Sequence, residues 1–389
     1  MSSHRLGFSP EEPDSCCGSF SGQSMEKSQE WAPSASRNVL QKRAELLRAV
    51  RKFFDRRGFL EVETPLLSAD TVVDRHLDPF VVSLLSSGAR FLHASGLTNS
   101  CGEVAPTGGT KIASGQVKEE KGGGEPGEFP PAHFWLQTSP EFAMKRLLAA
   151  GFEAVYQVTK AFRAGERGPL HNPEFTIVEW YRVGQGLKEG MLLLSELCQE
   201  ILKTPEAEFV SYGEVFRTYV GLNPHTATVG EMATVADLHA IPTPNIHEDD
   251  LDTWRDVLFA ELVQPHLGRQ RPTIVYGYPK TQSGLARLVP GDPPVAARFE
   301  LFVRGMEIAN GYYELTDADE LIPRFQYNNG WRVRDGKQPL PERSRLEQAL
   351  RQSKFPDCCG CALGFDRLVM LTVGAKTIDE VIAFPWERA

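Results

Sequence analysis

The sequence predicts an α+β fold, an antiparallel sheet flanked by helices, and three observations carry that expectation. Segments of strand character arrive in adjacent pairs, as hairpins do. Segments with apolar residues at helical spacing are set to one side of those pairs. There is no internal repeat, no Gly-rich phosphate loop of the P-loop type and no dinucleotide fingerprint, so a doubly wound parallel sheet is not indicated.

Residues 1 to about 30 are rich in Ser, Gly, Glu and Pro without periodicity and read as a disordered tail. From Arg37, the residues Val39, Leu40, Ala44, Leu46, Leu47, Val50, Phe53 and Phe54 recur at helical spacing. Gly58 ends that helix, and residues 59–64 follow as an alternating strand that stops at Pro65. A low-complexity stretch at about 96–131 reads as a flexible insertion, because it holds too little apolar surface to offset its ordering entropy. An acceptor-contacting lid is the sharper reading of that stretch. Beyond Phe134, strands are expected at 153–162, 174–182, 273–278, 298–304 and 306–315. Helices are expected at 140–150, 188–203 and 252–265, and a last one starts near Gly364. The whole is read as a tail, 1–30, followed by one catalytic domain, 31–389.

The totals exclude several classes. A chain of 389 residues suffices for one large domain or two ordinary ones. No apolar run approaches the length of a membrane span, and the N-terminus lacks the apolar core of a signal peptide, so a cytoplasmic protein is expected. Seven cysteines, an odd number without framework spacing, fit reduced thiols. The net charge of −9 does not favour stable tRNA binding, which asks for a basic surface.

The segment from Arg298 to Glu314 is chemically the richest. A two-residue turn at Arg304-Gly305 would pair Val303 with Met306 and set Glu300 opposite Ala309. Glu300 and Glu307 then share a face as diagonal neighbours, about 7–8 Å apart at the backbone. Two such carboxylates suit Mg²⁺ bridging to a nucleotide's phosphates, while a solvated polar face is the bland alternative. Glu314 stands beside Tyr312 and Tyr313, a setting for a ligand ammonium or for an ordinary strand edge. Arg163 precedes a loop holding Gly165, Gly168 and Pro169, where a guanidinium clamps phosphate or is simply solvated. His171, Asn172 and Glu174 add polar groups on the return. Near the C-terminus, Gly364 allows close backbone approach, Asp366 complements a helix N-terminus, and Arg367 is placed to stack on a purine. Cys358-Cys359-Gly360-Cys361 lacks a second ligand pair for zinc and reads as buried thiols. No Ser/His/Asp or Cys/His set suggests a protein nucleophile.

Taken together, these segments resemble the class II aminoacyl-tRNA synthetases of the lysine type. More narrowly, they resemble the lysyl-tRNA synthetase-like ligases that modify elongation factor P. Residues 61–65 look like motif 1, the dimer-building element. Residues 138–148 look like the amino-acid-binding turn and helix, residues 172–182 like motif 2, and residues 360–367 like motif 3. The resemblance spans about Trp31 to Ala389 apart from the insertion. It implies a class II catalytic domain, a homodimer, ATP as substrate and Mg²⁺ as cofactor. It implies Arg163 and Arg367 as catalytic residues, Arg163, Glu166, Asn172, Glu307, Ile308, Gly364 and Arg367 around ATP, and Glu300 and Glu307 around the metal. For lysine or β-lysine it implies Ser139, Pro140, Glu141, Glu179, Tyr181, Asn310, Tyr312, Glu314 and Ala362.

Two features separate the chain from a tRNA ligase. Motif 1 begins by residue 61, leaving no room ahead of it for an anticodon-reading β-barrel. Ala362 stands where synthetases have Gly, and the factor-modifying relatives carry Ala there, in connection with β-lysine preference. The expected activity is formation of a lysyl adenylate and transfer to a lysine of elongation factor P. A truncated lysyl-tRNA ligase, a lysine- or ATP-sensing regulator and an adenylate former with another acceptor are the alternatives. One departure is noted: motif 2 usually reads Arg-Asn-Glu, whereas Arg163-Ala164-Gly165-Glu166 moves its Glu one place on.

Overall fold

The computed structural model describes residues 31–83, 133–243 and 246–389. The expected tail and the expected insertion lie outside the described residues. In chain order the strands are β1 (Leu60–Glu61), β2 (Leu67–Ser68), β3 (Val81–Ser83), β4 (His133–Leu136), β5 (Ala154–Phe162), β6 (Glu174–Val183), β7 (Glu208–Ser211), β8 (Thr273–Pro279), β9 (Leu288–Val289), β10 (Val295–Val303), β11 (Met306–Tyr313) and β12 (Cys358–Gly364). The helices are α1 (Arg37–Asp55), α2 (Glu141–Ala149), α3 (Leu187–Leu202), α4 (Tyr212–Val220), α5 (Val229–Leu238), α6 (Leu251–Leu258), α7 (Ala318–Arg334), α8 (Arg345–Gln352) and α9 (Phe365–Val373).

The main sheet runs β1-β5-β6-β12-β11-β10-β8-β7, with β9 against β10. Its six central strands, β5 to β8 in that order, are antiparallel as expected. The edges correct the expectation: β1 pairs parallel to β5, and β7 parallel to β8. Each parallel pair is joined by a long helical excursion, through α2 and through α4 to α6, and parallel pairing requires such a crossover. The expected strand at 59–64 shrinks to the two residues of β1 that find a partner on β5. A separate three-stranded sheet orders β2-β4-β3.

Alternation along the central strands builds two unlike faces. Phe299, Leu301, Ala309, Cys361, Leu363, Val178 and Trp180 point to one side, where α1, α3 and α9 close a core with Phe53, Phe54, Leu194 and Leu368. Phe54 stacks on Tyr156 at 4.7 Å and reaches Trp180 at 5.1 Å, fixing α1 behind β5 and β6. Burying one such ring is worth about 1.5–3 kcal/mol. On the opposite face, α4 and α6 pack with Tyr278 and Phe302 at one end, and α2, α7 and α8 with Val155 and Tyr181 at the other. Between those two clusters the polar floor of the sheet opens to a cavity.

The turn at Arg304-Gly305 forms as expected, with φ of 54° and 77°, the left-handed pair that a two-residue hairpin requires. The register beyond it differs from the expectation. Val303 pairs with Met306 and Phe302 with Glu307, but an irregularity then sets Leu301 opposite Ala309 and Glu300 opposite Asn310. Ile308 is the extra residue, and it turns into the core behind the sheet. The buried thiols Cys358, Cys359 and Cys361, read at first only as packing, lie on a central strand, β12. No described helix is long and apolar enough to cross a membrane.

Candidate active site

Register places the functional side chains in rows across the sheet. One row reads Glu179, Ala362, Asn310 and Glu300 across β6, β12, β11 and β10. The next reads Tyr181, Gly360, Tyr312 and Arg298. Strands lie about 4.8 Å apart, so the backbones of Glu179 and Glu300 stand roughly 14 Å from one another. Two cavities share this floor. The larger, about 460 Å³, extends over Arg163, Glu166, His171, Phe175, Glu300, Glu307, Gly364 and Arg367. The smaller, about 120 Å³, is bounded by Ser139, Glu141, Glu179, Tyr181, Glu314 and Gly360. Arg163, Asn310, Tyr312 and Ala362 are among the residues that line both, so Arg163 borders the two spaces together.

The small cavity is acidic, and its carboxylates are buried. Glu179 is 1% exposed. Its oxygens accept from Tyr181 Oη at 2.6 Å and from Ser139 Oγ at 2.7 Å. Burial, with the nearby Glu141 carboxylate adding to it, pushes its pKa up to about 7. Glu314 follows β11, also 1% exposed, and burial raises it to about 8 although Lys145 opposes the shift. Lys145 was not expected here. It lies one helical turn beyond Glu141 on α2, and its Nζ is 2.5 Å from Glu141 Oε1 and 2.6 Å from Glu314 Oε2. Burial alone would push this ammonium's pKa down, but the two carboxylates outweigh burial and raise it, so it is charged. The Glu-to-Lys spacing of four was the legible signal for this pair. Gly360 makes the arrangement possible. A Cβ there would fall 2.2 Å from the Tyr181 ring and 2.7 Å from Glu314 Oε1.

The large cavity is held by cationic and carboxylate groups. Arg367, on the first turn of α9, donates to the Glu307 carbonyl at 2.9 Å and lies 2.7 Å from His171 Nε2. The ring nitrogen must accept, which fits a His171 pKa lowered by burial and by Arg367. Asp366 anchors that turn, accepting from Thr176 N at 2.7 Å and pairing with Arg43 of α1 at 2.5 Å. Its role is therefore to tie three elements together rather than only to complement the helix dipole. Glu166 lies 3.8 Å from Arg163, so the shifted motif 2 glutamate turns back toward the guanidinium. Asn172 is buried with its side chain committed to the backbone of Glu174 and Trp386. Pro140, expected beside the substrate, instead sits buried at the N-cap of α2 and lines neither cavity. All other expected site residues border one cavity or both.

Glu300 and Glu307 both open onto the large cavity despite the shifted register. Glu300 accepts from Tyr278 Oη at 2.6 Å and pairs with Arg298 at 2.5 Å. Burial raises its pKa, and the Glu307 carboxylate adds to the rise against Arg298. A hard divalent cation between the two carboxylates would relieve that repulsion, so the donor set suits Mg²⁺. The residues missed by sequence reasoning include, besides Lys145, Asp74, Arg75, His76 and Leu77 of the β2–β3 connection and Asp252, Asp256, Tyr327 and Trp331 on α6 and α7, which form part of the cavity wall. No periodicity marks that connection.

A paired hairpin sheet, an Arg in the loop before β6, an Arg on the helix after β12 and two acidic strand positions are thus assembled over one floor. The family model of the class II tRNA synthetases (D, K and N) matches residues 28–97 and 124–388, most of the chain, and the protein belongs to that family.

Proposed function

We propose that the protein activates lysine or β-lysine with ATP and transfers it to a lysine side chain of elongation factor P. Family membership supports ATP-dependent amino-acid activation. The observation that carries the choice of amino acid is the charge of the small cavity. At its acidic end three carboxylates, Glu141, Glu179 and Glu314, face one internal ammonium, Lys145, which leaves two negative charges once all three have shed their protons, while Asp74, Arg163 and Arg324 line the rest of the cavity. A free diamino acid brings two ammonium groups, and occupancy then leaves no buried charge uncompensated.

The geometry supports the following chemistry. The amino acid lies in the small cavity with its amines toward Glu314 and toward Glu141 and Glu179, and its carboxylate faces Arg163 where the cavities meet. ATP occupies the large cavity, its purine against the Arg367 plane and the Phe175 ring. A carboxylate oxygen attacks the α-phosphorus, the bond from that phosphorus to the bridging oxygen breaks, and pyrophosphate leaves. Positioning and charge stabilisation do the catalytic work, with Arg163 aimed at the charge that develops on the α-phosphate. Mg²⁺, when held by Glu300 and Glu307, neutralises triphosphate charge. In the second half-reaction the acceptor amine attacks the adenylate carbonyl, an amide forms, AMP leaves, and the amine's proton passes to solvent.

Ala362 supports the β-lysine and elongation factor P reading. Its methyl sits between Glu179 and Asn310 in the cross-sheet row and borders both cavities, where it bears on the backbone of the bound amino acid. The exposed apolar side chains Leu60, Leu66 and Leu67, in and beside the motif 1 segment, fit a homodimer interface. Amino-acid-dependent ATP–pyrophosphate exchange tests the first half of the proposal. Lysine or β-lysine should support exchange and norleucine should not; exchange driven by a neutral or acidic amino acid would overturn the pocket assignment.

A further inference from the structure

We infer that Lys145 is a specificity-determining and positioning residue, an internal ammonium that sets the charge of the small cavity so that it is matched by two incoming ammonium groups. This rests on the lysine reading above and deepens it. Lys145 is 2% exposed and spans Glu141, on its own helix, and Glu314, on the segment after β11. Its Nζ also lies 5.8 Å from the Tyr181 ring centroid. Glu179 and Tyr181 on β6, Tyr312 on β11 and Cys358 on β12 also face this cluster, Cys359 and Cys361 lie behind it on the same strand as Cys358, and Asp74, Arg163 and Arg324 line the same cavity.

Without Lys145, three carboxylates would share a buried space. Like charges that close cannot all ionise, so one would keep a proton. A diamino acid would then have to expel that proton on binding, and affinity would fall at neutral pH. With Lys145 in place, Glu141 and Glu314 are bridged and hold fixed positions before substrate arrives, and the ammonium opposes the rise that burial imposes on Glu314. The bridge also leaves part of each carboxylate available, because a carboxylate accepts at two oxygens. Lys145 acts on the substrate through these carboxylates.

The experiment is calorimetric titration of the full chain with L-lysine in two buffers of different ionisation enthalpy, which counts protons released per lysine bound. Lys145→Gln removes the charge while keeping donors for both carboxylates, and Lys145→Arg keeps the charge. At pH 7 the Gln variant should bind lysine at least about tenfold more weakly and release about one proton more than the wild type. The Arg variant should keep the wild-type proton count and bind within about threefold. A folded Gln variant with wild-type affinity, or with weaker binding and an unchanged proton count, would overturn the inference. If the Gln variant does not fold, the Arg variant decides: a wild-type count and affinity support the inference, and a folded Arg variant that has lost either overturns it. Absence of lysine binding by the wild type is a separate result. It would remove the lysine reading and this inference with it.

Discussion

Replacing Glu179 by Gln should make the empty protein more stable and the enzyme worse. Glu179 is buried, and its pKa stands at about 7 against an ordinary value of 4.5. A carboxyl whose folded pKa is raised binds its proton more tightly in the native state than in the unfolded chain. Its stabilising contribution is therefore full below pH 4.5 and lost as pH rises through about 7. Above that range the buried carboxylate costs about 3 kcal/mol, from roughly 2.5 pKa units at 1.36 kcal/mol each. Gln carries no charge at any pH. Its carbonyl can accept from Tyr181 Oη, and the Ser139 hydroxyl can turn to accept from its amide. The variant should match the wild type near pH 5 and melt higher at pH 8. Taking an unfolding entropy of about 2.1 cal/mol/K per residue, the gain is roughly 4 °C. The same change removes one of the two net negative charges offered to the substrate, so lysine affinity should fall at least about tenfold. Differential scanning calorimetry at the two pH values, with and without lysine, reads both effects. A variant destabilised equally at pH 5 and pH 8, or one that binds lysine normally, would refute this reasoning.

Other consequences follow from single contacts. Gly360→Ala should abolish lysine-dependent pyrophosphate exchange and cost about 1–3 kcal/mol, because the added methyl meets the Tyr181 ring at 2.2 Å; intact exchange would show that the ring is free to move. Asp366→Ala should lower stability by about 3–5 kcal/mol in urea titration, since it strands the mostly buried Arg43 guanidinium and the Thr176 amide. Arg163→Ala should reduce exchange by about a thousandfold, a loss of the size that follows removal of a group aimed at developing charge. Glu166→Gln should reduce it less than tenfold, because Glu166 touches Arg163 only at 3.8 Å. Equal losses in the two variants would mean that Glu166 contacts the nucleotide directly. Raising pH from 6 to 8 should strengthen lysine binding, as Glu179 and Glu314 shed protons that compete with the substrate's ammonium groups.

Much of this architecture was legible because local signals agreed. The apolar positions from Val39 to Phe54 specify α1, and Arg304-Gly305 specifies a tight turn between alternating segments. What the sequence did not disclose depends on partners distant in the chain. The bulge at Ile308 is invisible to a simple period of two, so Glu300 was set opposite Ala309 instead of Asn310. Strand β12 has little β-branched character, so Cys358-Cys359-Gly360-Cys361 reads as thiols and as the start of motif 3 and not as a strand. Gly360 is needed for a different reason, the approach of Tyr181 and Glu314. Helix α7 carries Pro323 within its run, which masks the helical pattern. Lys145 was readable as a helix-face partner of Glu141, yet its second partner, Glu314, is 169 positions away in the chain and only the fold brings the two together.

Transfer is the step that separates the proposed ligase from its relatives. Labelled α-lysine and β-lysine, offered with ATP and with elongation factor P and bulk tRNA as competing acceptors, test it directly. Label should accumulate on elongation factor P, with β-lysine the better donor while Ala362 is in place. Label on tRNA, or on neither acceptor, would contradict the proposal.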